Sequence, residues 1–128
     1  MKNKICFILL MLLSKQIFGA DYSFCMQVAG EVNKGTPMQV DKYTQLLNTS
    51  CSSKNPPAFI YRYRYDYDLI ERPDIVQHLK SQYIKQLNAW CTDASSKKIF
   101  DMFPIEFSYE DKNGRYIASN KFQKSQCR

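Results

Sequence analysis

The chain has 128 residues, with 18 lysines and arginines against 12 aspartates and glutamates. Three of the basic residues fall in the first 20 positions, so residues 21–128 carry 15 basic and 12 acidic side chains and a net charge of +3. That balance is too mild for the strongly basic surface of a nucleic-acid-binding protein, and this length corresponds to one small domain.

The first twenty residues have the pattern of a cleaved secretory signal. Two lysines precede a nine-residue apolar run at residues 5–13, and the small pair Gly19-Ala20 suits a cleavage site, although Phe18 stands where a small residue is usual. The alternative is an uncleaved anchor, but spanning a bilayer takes about 20 apolar residues. We therefore predict that residues 21–128 form a single domain in the periplasm or outside the cell, with no membrane span.

Cysteine usage agrees with export. Four cysteines remain after the predicted cleavage: Cys25, Cys51, Cys91 and Cys127. An even number in an exported chain predicts two disulfides, for which three pairings are possible. The chain has no Cys-x-x-Cys pair and a single histidine, so we predict no metal site.

The first half of the mature chain contains a predicted helix and an ambiguous segment. Residues 22–33 place Phe24 and Val28 at helical spacing. Residues 38–50 fit either a helix or a strand. Their apolar residues have helical spacing, whereas the Thr, Asn and Ser at the end of the segment suggest a strand. We favour a strand that pairs in a hairpin with the segment that follows.

Residues 58–70 have the clearest pattern in the chain, a strict alternation typical of a half-buried strand. One face carries Phe59, Tyr61, Tyr63, Tyr65, Tyr67 and Leu69. The other carries Ile60, Arg62, Arg64, Asp66, Asp68 and Ile70. The pattern predicts an aromatic face that is covered and a charged face that is open.

Residues 74–91 are a predicted helix, with Asp74 as its cap, and residues 95–102 are a shorter one. At the helical step of ~100°, one stripe of the longer helix is apolar. It comprises Ile75, Val76, Leu79, Tyr83, Leu87 and Trp90. We expect this stripe to pack on the tyrosine face of the preceding strand, because each element lacks an apolar partner of its own.

Residues 105–122 are a predicted hairpin. A three-residue loop at residues 112–114, with Gly114 left-handed, would place Tyr109 opposite Ile117 and Glu110 opposite Tyr116. A two-residue Asn-Gly turn would instead place a carboxylate opposite an isoleucine. The longer loop is therefore preferred, since it keeps apolar side chains together.

The predicted fold class is α+β. We expect a four-stranded antiparallel sheet with helices packed on one face, in the order α-β-β-α-β-β, stapled by disulfides. Cys91 ends the long helix and Cys127 follows the last strand. A bond between these two cysteines would join helix to sheet, and that is the pairing we prefer.

No catalytic motif accompanies the single histidine, His78. A general base needs an orienting partner and a nucleophile, and no G-x-S-x-G or H-E-x-x-H pattern supplies them. We assign no catalytic residues and no cofactor.

The charged face of the central strand is the candidate binding surface, formed by Arg62, Arg64, Asp66 and Asp68. It is either a solvated face with cross-strand ion pairs or an interaction surface. Because the tyrosines and arginines alternate, they lie on opposite faces and cannot jointly bind single-stranded nucleic acid.

The sequence resembles a broad group of small exported bacterial proteins with no assigned activity. The residues that carry the resemblance are Pro37-Met38-x-Val40-Asp41-x-x-Thr44-x-Leu46, the Tyr-x-Tyr strand, Asn88-x-x-Cys91-Thr92, Tyr109-x-Asp111-x-x-Gly114-x-x-Ile117 and Cys127. The resemblance implies an α+β domain outside the cytoplasm and transfers no catalytic residues. Cys25 and Cys51 are extra to the pattern, which supports pairing them with each other.

Export, disulfides, an open charged face and the missing catalytic motif favour a non-enzymatic binding protein of the bacterial envelope. It would be an accessory subunit of an envelope or secretion machine, or an inhibitor or immunity protein, and its partner would be another envelope or exported protein. The alternatives are a small secreted hydrolase or toxin that uses His78 with a carboxylate, and a structural protein without a discrete partner.

Overall fold

The computed structural model describes residues 21–127, so the predicted signal sequence lies outside the described residues. The elements in chain order are helix α1 (Tyr22–Asn33), strands β1 (Met38–Asp41), β2 (Thr44–Cys51) and β3 (Phe59–Tyr65), helices α2 (Ile75–Ser81), α3 (Tyr83–Thr92) and α4 (Ala94–Met102), strands β4 (Ile105–Glu110) and β5 (Tyr116–Phe122), and a short 3₁₀ turn (Lys124–Gln126). The α+β class is confirmed.

The five strands form one sheet in the order β1-β2-β3-β4-β5. The expected four-stranded, wholly antiparallel sheet is wrong in two respects. Residues 38–50 are extended, as preferred, but a turn at Lys42-Tyr43 divides them into β1 and β2. In addition, β3 and β4 are parallel, whereas the other neighbours are antiparallel. The three helices between β3 and β4 form the long crossover that parallel neighbours require.

The helix predicted at residues 74–91 is two helices, because the chain breaks at Gln82. The amide of Asn120, from β5, lies at this break. Its nitrogen donates to the carbonyl oxygen of Leu79 at 3.1 Å and to the side-chain oxygen of Gln86 at 2.9 Å. A side chain that inserts into the helical hydrogen-bond ladder is a recognised cause of such a kink.

All four helices pack with one side of the sheet in a single hydrophobic core. Its largest fully buried side chains include Phe24 from α1, Leu79 from α2, and Phe59, Ile105 and Phe122 from the sheet. The prediction that helices cover the aromatic side of β3 is therefore confirmed. The opposite side of the sheet carries no helix among residues 21–127 and is polar.

The predicted hairpin at residues 105–122 is formed by β4 and β5. Gly114 has a φ of 85°, in the left-handed region that glycine adopts without strain. Glu110 lies opposite Tyr116 as predicted, but Tyr109 lies opposite Ala118 rather than Ile117. The cause is a bulge, which turns both Ile117 and Ala118 into the core.

Two disulfides are present, Cys25–Cys51 and Cys91–Cys127, in the pairing that we preferred. The first joins α1 to the end of β2, and the second joins α3 to the segment after β5. A second connection supports the first, because the Asn33 side chain donates to the Thr49 carbonyl at 2.9 Å and accepts the Thr49 N–H at 2.6 Å.

Candidate functional site

An open groove crosses the helix-covered side of the sheet beside α2. It consists of two cavities of about 420 and 480 Å³ that share Asp41, Tyr65 and His78 in their walls. Its floor comprises Tyr63, Tyr65, Tyr67, Phe107 and Tyr109. One wall is α2, and the opposite rim is the β1–β2 turn. We call this feature the aromatic groove.

The floor of the aromatic groove is a continuous series of rings in contact, stacked between Tyr63 and Tyr109 and tilted elsewhere. Tyr63 and Tyr109 are 5.3 Å apart between ring centroids, Tyr65 and Tyr109 are 6.0 Å apart, and Tyr65 and Tyr67 are 5.7 Å apart. The alternation of β3 places its tyrosines on this side, and the parallel register with β4 brings Tyr109 beside Tyr63. Rings packed in this way make a rigid apolar surface.

Burial favours the uncharged form of three phenols of the floor, those of Tyr63, Tyr65 and Tyr109. It raises the pKa of Tyr109 to about 12, partly offset by a hydrogen bond that the Gln86 side chain donates at 2.9 Å, and the neighbouring Tyr65 and Asp41 raise that pKa further. Burial likewise raises the pKa of Tyr65 and of Tyr63. These three side chains therefore present neutral, polarisable surface at physiological pH.

Apolar side chains stand exposed on the β1–β2 rim. Val40 is 51% exposed and Tyr43 is 42% exposed. The Tyr43 ring stacks on Tyr67 at 5.4 Å, so the rim continues the aromatic floor. Between Val40 and Tyr43, the Asp41 carboxylate accepts the Tyr43 N–H at 2.8 Å.

The far end of the groove is charged but internally paired. Arg72 and Asp74 form two hydrogen bonds, at 3.0 and 2.9 Å, and the guanidinium lies 5.0 Å from the Tyr67 ring centroid. The bond from Arg72 holds the pKa of Asp74 below its usual value. This end of the groove therefore contributes little net charge.

His78 lies on the α2 wall and lines both cavities. It is exposed, as its position off the apolar stripe predicts, but the sequence did not indicate a cavity beside it. Asp41 and Asp74 line the same groove, from the β1–β2 turn and from the start of α2. These three residues come from distant segments, and only the folded sheet brings them together.

The predicted surface of Arg62, Arg64, Asp66 and Asp68 does not form one patch. Arg62 and Arg64 lie on the open side of the sheet, away from the aromatic groove. Both bind Glu110 on β4, each with a terminal nitrogen 2.9 Å from one of its carboxylate oxygens. Burial works to raise the pKa of Glu110, but Arg64 and Arg62 outweigh it, and the pKa lies below its usual value.

The two aspartates lie beyond the end of β3 at Tyr65, in the loop before α2. Asp66 is exposed and shares a shallow hollow of about 190 Å³ with Arg64. Asp68 instead accepts the Ile70 N–H at 2.9 Å and lies 3.5 Å from the Arg115 guanidinium. Nothing in this arrangement tests binding by these four residues, so their role stays a prediction.

Sequence reasoning missed the residues that line the groove from outside β3. Val40, Asp41 and Tyr43 read as part of a single extended segment, and Gln86 was assigned no role. The one available signal was the tyrosine alternation, because an aromatic face that is longer than its covering helix stays partly open.

Within residues 21–127, no helix is long and apolar enough to cross a bilayer. The same residues contain no cluster of three metal-ligating side chains.

No known protein family and no curated protein matches this sequence. Solved structures with the same fold include an inferred secreted protein of Pseudomonas aeruginosa, with a TM-score of 0.68 and 14% identity over 84% of this chain and 92% of that one. Two others are pilotins of type II secretion systems. EpsS of Vibrio vulnificus has a TM-score of 0.62 and 19% identity over 84% and 91% of the two chains. AspS of Vibrio cholerae has a TM-score of 0.56 and 14% identity over 83% and 91%.

These similarities define the class at the level of fold. The chain shares its α+β architecture with a secreted protein and with two pilotins of type II secretion systems. At such low identity, the likeness concerns the fold alone.

Proposed function

We propose that this chain is a non-enzymatic accessory subunit of a bacterial secretion machine. It would be exported after cleavage behind Ala20 and would bind a segment of another envelope protein in the aromatic groove. A mature chain that begins at Asp21 would keep the cap of α1, because the Asp21 side chain accepts the Phe24 N–H at 2.8 Å.

The observation that carries the proposal is the open, apolar part of a sheet face that is otherwise covered by helices. Small soluble domains rarely leave contiguous apolar surface exposed unless a partner covers it. Here the exposed Val40 and Tyr43 continue a tyrosine floor that α2 borders without filling. An amphipathic segment of a partner fits this surface, because its apolar side would meet the rings and its polar side would face water.

The fold supports the same function independently of the groove. Both pilotins share the architecture over more than four-fifths of this chain. An inhibitor or immunity protein remains a finer alternative within the same non-enzymatic class, and the identity of the captured partner distinguishes the two.

The test is cross-linking and affinity capture of the tagged, exported protein in its native host. We expect one envelope protein to be recovered stoichiometrically and to be lost from a Val40→Ser/Tyr43→Ser variant. Loss of two exposed apolar contacts at an interface typically weakens binding about tenfold or more. The measurement is the ratio of partner to bait by quantitative mass spectrometry.

The matched control is Ile84→Ser/Tyr116→Ser, which removes two side chains that are 63% and 64% exposed but do not line the groove. This variant should retain the partner. An Arg62→Glu/Arg64→Glu variant tests the predicted charged surface in the same experiment. Partner retention by the groove variant, or loss only from the arginine variant, would contradict the groove assignment.

A second candidate function, hydrolysis, rests on His78 lying in the groove with Asp41 and Asp74. If His78 acts as a general base on water, the mature chain should turn over a chromogenic ester, peptide or glycoside. His78→Ala should then lower that rate about a hundredfold or more. Equal rates for the two proteins, at the level of buffer alone, would exclude this candidate.

A further inference from the structure

The aromatic groove contains one carboxylate that no basic side chain of the described domain neutralises. Asp41 lines both cavities, and among residues 21–127 its carboxylate accepts one hydrogen bond, from the Tyr43 N–H, while its backbone carbonyl accepts another from the Gln39 side chain. Across the groove, Asp74 is already paired with Arg72. Asp41 is therefore the anionic group of the groove that is available to a bound partner.

Asp41 shares the walls of both cavities with Tyr65, and those of the larger cavity with Tyr109. Its charge adds to the rise in the pKa of both phenols. It also follows Val40, the exposed apolar residue of the rim. An occupant whose apolar side meets these rings would cover Asp41 as well.

We infer that Asp41 determines the specificity of the groove, by selecting a partner segment that carries a lysine or arginine within its apolar side. This inference rests on the proposed function, because it concerns the occupant of the same groove. Covering a carboxylate without supplying a cation removes its hydration without a compensating interaction. The full desolvation penalty therefore weakens the binding of a neutral occupant. A cation at this position restores the lost interaction.

The cationic groups of the groove do not reverse this preference. Arg72 is neutralised by Asp74. Of the two cavities, Lys42 lines only the one of about 420 Å³, and its ammonium lies 5.3 Å from the Tyr43 ring centroid. His78 is exposed on the α2 wall. Lys42 and Arg72 line only the cavity of about 420 Å³, whereas Asp41 lines both cavities, so the carboxylate of an acidic occupant in the cavity of about 480 Å³ would meet Asp41 without either cation.

The test uses three synthetic helix-forming peptides of about 18 residues, each with a leucine stripe and a polar side. They differ only at the central position of the stripe, which is lysine, glutamine or glutamate. Fluorescence anisotropy of labelled peptide gives the Kd for the mature chain and for Asp41→Asn. Asp66→Asn, at an exposed carboxylate that lines neither cavity of the groove, is the control with the same change of charge.

We expect the lysine peptide to bind about threefold to tenfold more tightly than the glutamine peptide, and the glutamate peptide most weakly. Asp41→Asn should abolish this ranking, and Asp66→Asn should preserve it. Equal binding of all three peptides, or tighter binding of the glutamate peptide, would overturn the assignment. If the three peptides bind equally but their binding is lost in Val40→Ser/Tyr43→Ser, the groove is still the binding site and only the role of Asp41 is excluded. The absence of binding by any peptide would count against both the groove and the role of Asp41.

Discussion

Replacing both cysteines of the Cys25–Cys51 disulfide with alanine is expected to lower the free energy of unfolding by about 3–4 kcal/mol. The bond closes a segment of 26 residues, and the chain-entropy account assigns a stabilisation of that size to loops of this length. A domain of this size is stable by only about 5–15 kcal/mol, so the loss is a large fraction of the total. Urea denaturation of both proteins, followed by far-UV circular dichroism, measures it.

The position of the bond adds to the effect. Cys25 is fully buried in the core, next to Phe24 and close to Val28 along α1. Its removal therefore frees α1 from β2 and also leaves a small unfilled volume. The Asn33–Thr49 hydrogen bonds would still hold the far end of α1, so we expect a folded but weakened domain rather than an unfolded chain.

The Cys91–Cys127 bond provides the comparison. It closes 36 residues, and both of its cysteines are partly exposed. Under native conditions a mild reductant should therefore open Cys91–Cys127 first and leave Cys25–Cys51 intact, as measured by alkylation and peptide mass mapping. Reduction in the reverse order, or an unchanged denaturation midpoint in Cys25→Ala/Cys51→Ala, would contradict this account.

Replacing Asp111 with asparagine is expected to lower the thermal midpoint on the order of 10 °C at neutral pH. Asp111 is completely buried at the β4–β5 turn. Its carboxylate accepts three backbone N–H groups, from Leu69 at 3.0 Å, Asn113 at 2.9 Å and Arg115 at 2.8 Å. An amide replaces one of these accepting oxygens with a donor, which leaves buried N–H groups unpaired.

The same contacts predict how the effect depends on pH. Burial works to raise the pKa of Asp111, but the N–H groups of Leu69, Arg115 and Asn113, together with the Arg115 charge, outweigh it, and the pKa lies below the ordinary value of 3.8. A lowered pKa in the folded state means that the unfolded chain binds protons more readily. The stabilisation is therefore complete above the ordinary value and is lost as the pH falls below it.

Thermal midpoints across the acidic range should show the two proteins converging below the ordinary aspartate pKa. Asp66→Asn is the matched control, since Asp66 is exposed and its side chain makes no hydrogen bond among the described residues. Its midpoint should equal that of the unmodified protein at every pH. A constant difference between Asp111→Asn and the unmodified protein down to the lowest pH would show that the effect does not come from the charge.

Asp111 also connects the hairpin to the candidate site. Its bond to the Leu69 N–H, together with the 3.0 Å bond from the Lys112 N–H to the Tyr67 carbonyl, holds the loop before α2 against the β4–β5 turn. That loop carries Arg72, which closes one end of the aromatic groove. Asp111 is therefore a positioning residue for the groove, although it lies outside it.

The local pattern of the chain was enough to predict the elements that depend on it. Alternation identified β3, helical spacing identified α1, and Gly114 identified the loop of the last hairpin, because periodicity and turn chemistry act over a few residues. The Cys91–Cys127 pairing followed from the positions of the predicted elements, and the Cys25–Cys51 pairing was supported by the resemblance, to whose pattern both cysteines are extra. The pairing of Arg62 and Arg64 with Glu110 was not predicted, because ion pairs depend on strand neighbours rather than on sequence order.

Only the tertiary structure decided the parallel pairing of β3 with β4, the break at Gln82 and the aromatic groove. Parallel pairing follows from where the helical crossover returns the chain, and the break depends on Asn120, which is 38 residues further along. The groove exists because α2 covers only part of a tyrosine face whose edge is formed by Val40, Asp41 and Tyr43. By itself the sequence determined which residues would face the core, since that depends on the spacing of apolar residues within each helix or strand. Which part of the core-facing surface stays open depends on how long each covering element is and where it lies, and those are properties of the assembled fold.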